Sequence, residues 1–232
     1  MLPRPAAFSL IGALAAAHVL VAAWAVPVRA EASAVSRALA LPQASLLVKD
    51  AGQPVIARQP DRPMVPASTM KLLTALAAIQ RWGLDHRFET RLLLDRDGRL
   101  WVQGAGDPYL VSEELDRIAA AVRGAGVTSV AGVGADDGLF AAGLDIPGRS
   151  ASDNPYDAPV TALAVNFNTL NLRVQRGSVA SAEPQTPLTP LARRLGQALG
   201  NGTQRVNLKD QGLAARYFAE VLSAKLETAG VK

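Results

Sequence analysis

Hydrophobic and polar positions alternate along this chain with changing period, and the changes mark its elements. An apolar run from Phe8 to Val26 stands apart from everything after it. Glu31–Leu41 is alanine-rich and predicts a short helix; Ala44–Val48 and Pro54–Arg58 read as two strands joined by a Gly-containing turn at Lys49–Gln53. Three prolines between Gln59 and Ala67 (Pro60, Pro63, Pro66) exclude regular structure there. From Ser68 to about Trp82 the residues Leu72, Leu73, Leu76 and Ile79 recur at helical spacing, which predicts a helix buried on at least one side and ended by Gly83.

Beyond His86 the period shortens. Phe88–Leu94 and Arg99–Gln103 predict a hairpin turning at Asp95-Arg96-Asp97-Gly98, and Gly104–Pro108 ends its second strand. Val111–Arg123 predicts an amphipathic helix with Leu115, Ile118, Ala119 and Val122 on one face and acidic residues in its first turn. Val127–Val133 reads as a strand, Gly138–Pro159 as loop, and Val160–Val174 as strand-compatible sequence. Ala180–Pro190, with Pro184, Pro187 and Pro190, reads as a linker or surface loop, and helices around Leu191–Leu199 and Gly212–Ala229 follow. The mixture predicts an α/β (α+β) protein, and no internal repeat or low-complexity tract is present.

Composition changes this picture at two points. Arg4, the apolar run and the small-x-small pattern Val28-Arg29-Ala30 predict a cleavable signal peptide over residues 1–30 and an exported, periplasmic protein; retention of the run as a membrane anchor is the alternative. Removal of Arg4 and Arg29 would lower the formal charge from +4 to +2. The remaining bases form no run, so charge gives no case for nucleic acid. The absence of cysteine excludes disulfides and thiolate metal sites.

The candidate chemistry lies in Pro66-Ala67-Ser68-Thr69-Met70-Lys71-Leu72-Leu73-Thr74. Ser68 and Lys71, three positions apart on a helix, share one face, so the amine reaches the hydroxyl. A neutral lysine amine can take the serine proton as the oxygen attacks a carbonyl, and burial at the helix start is expected to hold that amine neutral. The Ser68 backbone N–H could contribute to an oxyanion hole. The structural alternative makes Ser68 a cap and Lys71 a solvated first-turn residue. A Ser-His-Asp triad is excluded because His86, beside Asp85 at a loop, is the only histidine past residue 30. One histidine without cysteine likewise makes no zinc site, and Gly104-Ala105-Gly106 lacks dinucleotide-binding spacing.

The Ser68 segment, Gly104-Ala105-Gly106-Asp107-Pro108, and the stretch Tyr156–Asn168 (Tyr-Asp-Ala-Pro-Val-Thr-Ala-Leu-Ala-Val-Asn-Phe-Asn) together resemble the class C low-molecular-mass penicillin-binding proteins. These are D-alanyl-D-alanine carboxypeptidase/endopeptidases, and the segments stand in the family's order. The resemblance implies the N-terminal half of a transpeptidase-like domain carrying an inserted α/β subdomain: residues 31–84 bearing S-x-x-K, 85–180 the insertion, and 181–232 a linker and helices. It implies Ser68 as acyl nucleophile and Lys71 as proton acceptor, no cofactor, peptidoglycan stem peptides as substrate and β-lactams as covalent inhibitors. Peripheral contact with a membrane stays open. Two expected motifs diverge. No K-[ST]-G occurs, and Ser152-Asp153-Asn154 spells S-x-N only within the loop before Tyr156. The expectation is a truncated member, with a non-catalytic wall-binding remnant and a serine β-lactamase as alternatives.

Overall fold

The computed structural model describes residues 34–232 apart from 142 and 145. The predicted signal peptide lies outside the described residues, and among those described no helix is long and apolar enough to cross a membrane. The chain divides into two compact units, one ending at Gly83 and the other spanning Leu84–Lys232.

In the first unit a helix over 34–40 (α1) precedes the expected hairpin, β1 (Leu46–Asp50) and β2 (Gln53–Arg58), paired antiparallel. Its turn needs positive φ at Ala51 and Gly52, which glycine adopts without a Cβ penalty. A 3-10 turn over Ala67–Thr69 then leads into helix α2 (Met70–Trp82), closed by Gly83 at φ 82°. One expectation fails here. No residue of α2 is buried: Leu72 is 74% and Leu73 60% exposed, and Leu76 and Ile79 are exposed too. Helical spacing marks which residues share a face; it does not supply the surface that would cover them.

The second unit holds the hydrophobic core. Strands β3 (Arg91–Leu94) and β4 (Arg99–Gln103) form the expected hairpin, and helix α3 (Ser112–Gly124) crosses to β5 (Gly132–Asp136), which pairs parallel to β4. The predicted strand at Val127–Val133 is therefore displaced. Residues 128–130 instead pair with the C-terminal backbone, Lys232 N–H to Thr128 and Val130 N–H to Lys232. The strand begins at Gly132, and two residues on, the Trp101 ring lies against Gly134, a position where a Cβ would approach that ring to 2.5 Å.

A second, antiparallel sheet has the order β7–β6–β8, built from β6 (Thr169–Gln175), β7 (Ser178–Ser181) and β8 (Gly202–Asn207). Two of these strands depart from the sequence reading. Part of the expected linker is β7, and β8 went unread because Val206 is its only apolar residue. The strand-compatible run from Val160 becomes strand only at Thr169, since Asn166, Phe167 and Asn168 are all left-handed (φ 49°, 60° and 51°) and interrupt the extended backbone. Residues 181–232 belong to the same compact unit as 84–180. Helix α4 (Pro190–Gly196) is capped by Thr189, whose hydroxyl accepts from Ala192 N–H, and α5 (Gln211–Thr228) by Asp210, which accepts from Leu213 N–H.

The core joins both sheets through α5. Tyr217, Phe218, Val221, Leu222 and Leu226 of α5 are buried together with Leu115, Ala119 and Val122 of α3, Val102 of β4 and Leu170 and Leu172 of β6. Each such large side chain contributes about 1.5–3 kcal/mol by leaving water. Lys225 ties the layers together, its ammonium donating to Asp116 at 2.8 Å and to the Gln185 carbonyl at 2.7 Å.

Candidate active site

The chain enters α2 through a strained corner. Ala67 is left-handed (φ 44°), and Thr69 folds back with its N–H and its hydroxyl both donating to the Pro66 carbonyl. Non-glycine residues in that conformation cost about 1–3 kcal/mol and persist where surrounding contacts enforce them. The corner presents Ser68 at the helix start. Lys71, one turn on, places Nζ 2.9 Å from Ser68 Oγ. The Ser68 hydroxyl makes no capping bond to the helix backbone; its partner is the amine. The purely capping reading of Ser68 thus loses its contact.

Burial is where the site departs from expectation. Ser68 and Lys71 are both exposed, so the desolvation assigned to the amine is not supplied by the described residues.

The other two segments pack against each other inside the second unit. Gly106 N–H donates to the Ala162 carbonyl at 3.2 Å, and a Cβ on Gly104 would fall 2.3 Å from that same oxygen. Only glycine permits this approach, which accounts for the Gly-Ala-Gly run. Asp137 clamps the turn at 162–163 by accepting from Ala162 N–H and, at 3.3 Å, Leu163 N–H; burial pushes its carboxyl above the usual range against those bonds.

The left-handed turn is pinned by a buried network. Asn166 Oδ1 accepts from Ser112 N–H at 3.0 Å, and its amide donates to Ser112 Oγ at 2.9 Å and, at 3.4 Å, to Thr186 and Tyr217 hydroxyls. Burial pushes the Tyr217 phenol up to about 12. Asn168 donates to Pro159 and Thr161, both at 2.8 Å, while its Oδ1 is the one buried side-chain polar atom left unpaired among the described residues.

The S-x-N tripeptide is engaged by its own loop and by Asn207 and Lys209, with Asn207 donating to the Ser152 and Asn154 carbonyls and Lys209 paired with Asp153 at 3.0 Å. Asp157 accepts from Ser150 N–H and Oγ, both at 2.7 Å, and from Ser152 Oγ, bonds that hold its carboxyl below the usual range. Asn154 Nδ2 in turn donates to Ser152 Oγ at 2.8 Å. His86 sits edge-on to Phe88, ring centroids 5.0 Å apart. Nothing in the sequence reading marked Ala67 or the Asn166 network. An Asn-x-Asn flanked by apolar residues was the available signal for left-handed backbone, because Asn tolerates it best.

A serine–lysine pair at a helix start is an arrangement suited to serine acyl transfer without histidine. Comparison with known proteins makes the assignment specific: the chain belongs to the D-Ala-D-Ala carboxypeptidase 3 (S13) family, whose model matches residues 31–207. The resemblance read from the three segments is borne out. A D-alanyl-D-alanine carboxypeptidase of Actinomadura sp. is 35% identical over 147 residues, covering 57% of this chain and 27% of that protein. A carboxypeptidase of Mycobacterium tuberculosis is 31% identical over 192 residues, covering 75% of this chain and 41% of the relative. The chain thus spans less than half the length of these relatives. Penicillin binding protein 4 of Haemophilus influenzae shares the fold, with a TM-score of 0.53 at 20% identity over 78% of this chain and 49% of that one.

Proposed function

We propose that this chain carries the nucleophilic element of a serine D-Ala-D-Ala carboxypeptidase/endopeptidase acting on peptidoglycan peptides. The 2.9 Å contact between Lys71 Nζ and Ser68 Oγ carries the reading. With the amine uncharged the contact runs the other way. Ser68 gives its proton to Lys71 while Oγ bonds to the carbonyl carbon of the penultimate D-alanine. Lys71 returns the proton to the departing D-alanine amine, leaving an acyl-serine. Water then adds to the ester carbonyl and releases the shortened peptide and free Ser68. The Ser68 backbone N–H suits the transient oxyanion.

Family membership and the carboxypeptidase relatives support this substrate class, and β-lactams would acylate the same oxygen. The pattern of residues 1–30 supports export to the periplasm as part of the same reading. The test is covalent labelling of the exported chain with a fluorescent penicillin. An adduct mapped to Ser68 and abolished by Ser68→Ala is expected; labelling that survives the substitution removes Ser68 from the role. A second reading, wall binding without catalysis, draws on the exposure of both residues. It predicts binding of peptidoglycan fragments with neither acylation nor release of D-alanine.

A further inference from the structure

The outer face of the β7–β6–β8 sheet carries Arg173 and, in register with Asn171, Arg205, with Arg176 at the turn between β6 and β7. Arg205 donates to the Thr169 hydroxyl at 3.1 Å. Residues 170, 172 and 174 of β6 face the core, so Asn171, Arg173 and Gln175 face outward, flanked in register by Ala180 on β7 and Thr203 on β8 beside Arg173. Those small neighbours leave an open cavity of about 830 Å³, lined by Arg173, Arg176, Ser178, Ala180, Asn201 and Thr203 among others.

Two features mark it as more than a solvated face. Neither the Arg173 nor the Arg176 guanidinium makes an ion pair or hydrogen bond among the described residues, and no carboxylate lines the cavity. Glu183 does not line the cavity; it accepts from Thr186 at 3.3 Å and from Asn171 at 3.5 Å. Arg176 also occupies the first position of a two-residue hairpin turn with φ 50°, where asparagine or glycine is the ordinary choice. Its backbone N–H is held there by Asn201 Oδ1 at 2.9 Å. The backbone that carries Arg176 is thus fixed from the adjoining loop, while its guanidinium is left without a counter-charge.

We infer that this face binds the carboxylates of an extended acidic peptide. Planar guanidinium forks match carboxylates bidentately. At the sheet edge, β7 (Ser178–Ser181) pairs on one side only, leaving backbone groups that an extended peptide can use. The cavity holds no aromatic side chain, which disfavours a nucleic acid that would need a stacking platform. The choice of peptide rests on the wall-peptide reading above: a carboxylate-rich stem peptide bound here would be a docking site additional to Ser68.

The test titrates the full chain with tri-glutamate, inorganic triphosphate and a single-stranded oligonucleotide. Tri-glutamate should bind most tightly, weaken with rising salt, and shift backbone amide resonances of 176–181 and 201–203. The double variant Arg173→Gln/Arg176→Gln should lose at least about tenfold in affinity while keeping its thermal midpoint. Absence of peptide binding, unchanged affinity in the double variant, or tighter binding of triphosphate or oligonucleotide overturns the inference. Penicillin labelling measured alongside separates the two proposals. Labelling without arginine-dependent peptide binding sinks this one alone, and the reverse result sinks the catalytic one alone.

Discussion

The two compact units spend their apolar residues in opposite ways. In Leu84–Lys232 the large hydrophobics of α3 and α5 vanish into a shared core, whereas α2 of the first unit leaves Leu72, Leu73, Leu76 and Ile79 in solvent. Yet the candidate chemistry is in the unit where none of the described residues is buried. The Ser68–Lys71 contact is a local product of helical geometry and a left-handed Ala67, and needs no distant packing to form. Positioning by local geometry and stability by long-range burial are separable here, and substitutions should separate them.

The widest separation concerns the reacting pair. Ser68→Ala should abolish penicillin acylation, and Lys71→Ala should slow it by roughly 10²–10⁴-fold, the range of general acid–base catalysis. Both residues are exposed and belong to the first unit, where none of the described residues is buried, so neither change should move the unfolding midpoint of the second unit. A fall in that midpoint, followed by circular dichroism, would show that the units are not independent in this sense.

Core truncation gives the next largest effect, and its contrast with α2 is the sharper test. Phe218 is fully buried, and Phe218→Ala should cost about 3–5 kcal/mol in denaturant unfolding. Leu72→Ala removes a side chain already 74% exposed and should stay within about 0.5 kcal/mol. Equal costs at the two positions would mean that α2 is covered in solution.

The same contrast explains what the sequence disclosed. Elements defined by near neighbours were legible: the β3–β4 hairpin, the stripe of α3, and the Ser-x-x-Lys spacing all appear as read. Features set by distant partners were not. The register of β5 depends on Gly134 lying under the Trp101 ring, and the start of β6 on a turn held by Ser112, Thr186 and Tyr217, all remote in sequence. Burial of α2 rests on period alone, which fixes a face and not its cover, and burial of Lys71 on its place at the helix start. The arginine-rich sheet face was hidden for a related reason: strand pairing, and not a run of bases, gathers its charge.

A buried phenol carries the next prediction. Burial raises the Tyr217 pKa from 10 to about 12, so the unfolded chain ionises this group first as pH rises. Its stabilising contribution is complete below pH 10 and is lost between pH 10 and 12, a loss on the order of 2–3 kcal/mol. Tyr217→Phe should flatten that alkaline limb of the stability curve. It should lower stability at neutral pH only by the long 3.4 Å bond from Asn166. An unchanged limb would assign the alkaline loss to another group.

The smallest effect tests an asymmetry within the second unit's core. The Lys225 side chain is 10% exposed, but its partner Asp116 is 52% exposed. Removing the carboxylate strands an ammonium with only the Gln185 carbonyl at 2.7 Å, so Asp116→Ala should cost about 1–3 kcal/mol. Removing the ammonium returns a half-exposed carboxylate to water and fills its channel with apolar volume, so Lys225→Met should cost about 0–1 kcal/mol. Equilibrium unfolding of both variants and of the double variant resolves the pair. If Lys225→Met proves the costlier change, the ammonium's bonds to Asp116 and Gln185 are a net source of stability, and the charge is retained because it strengthens the fold.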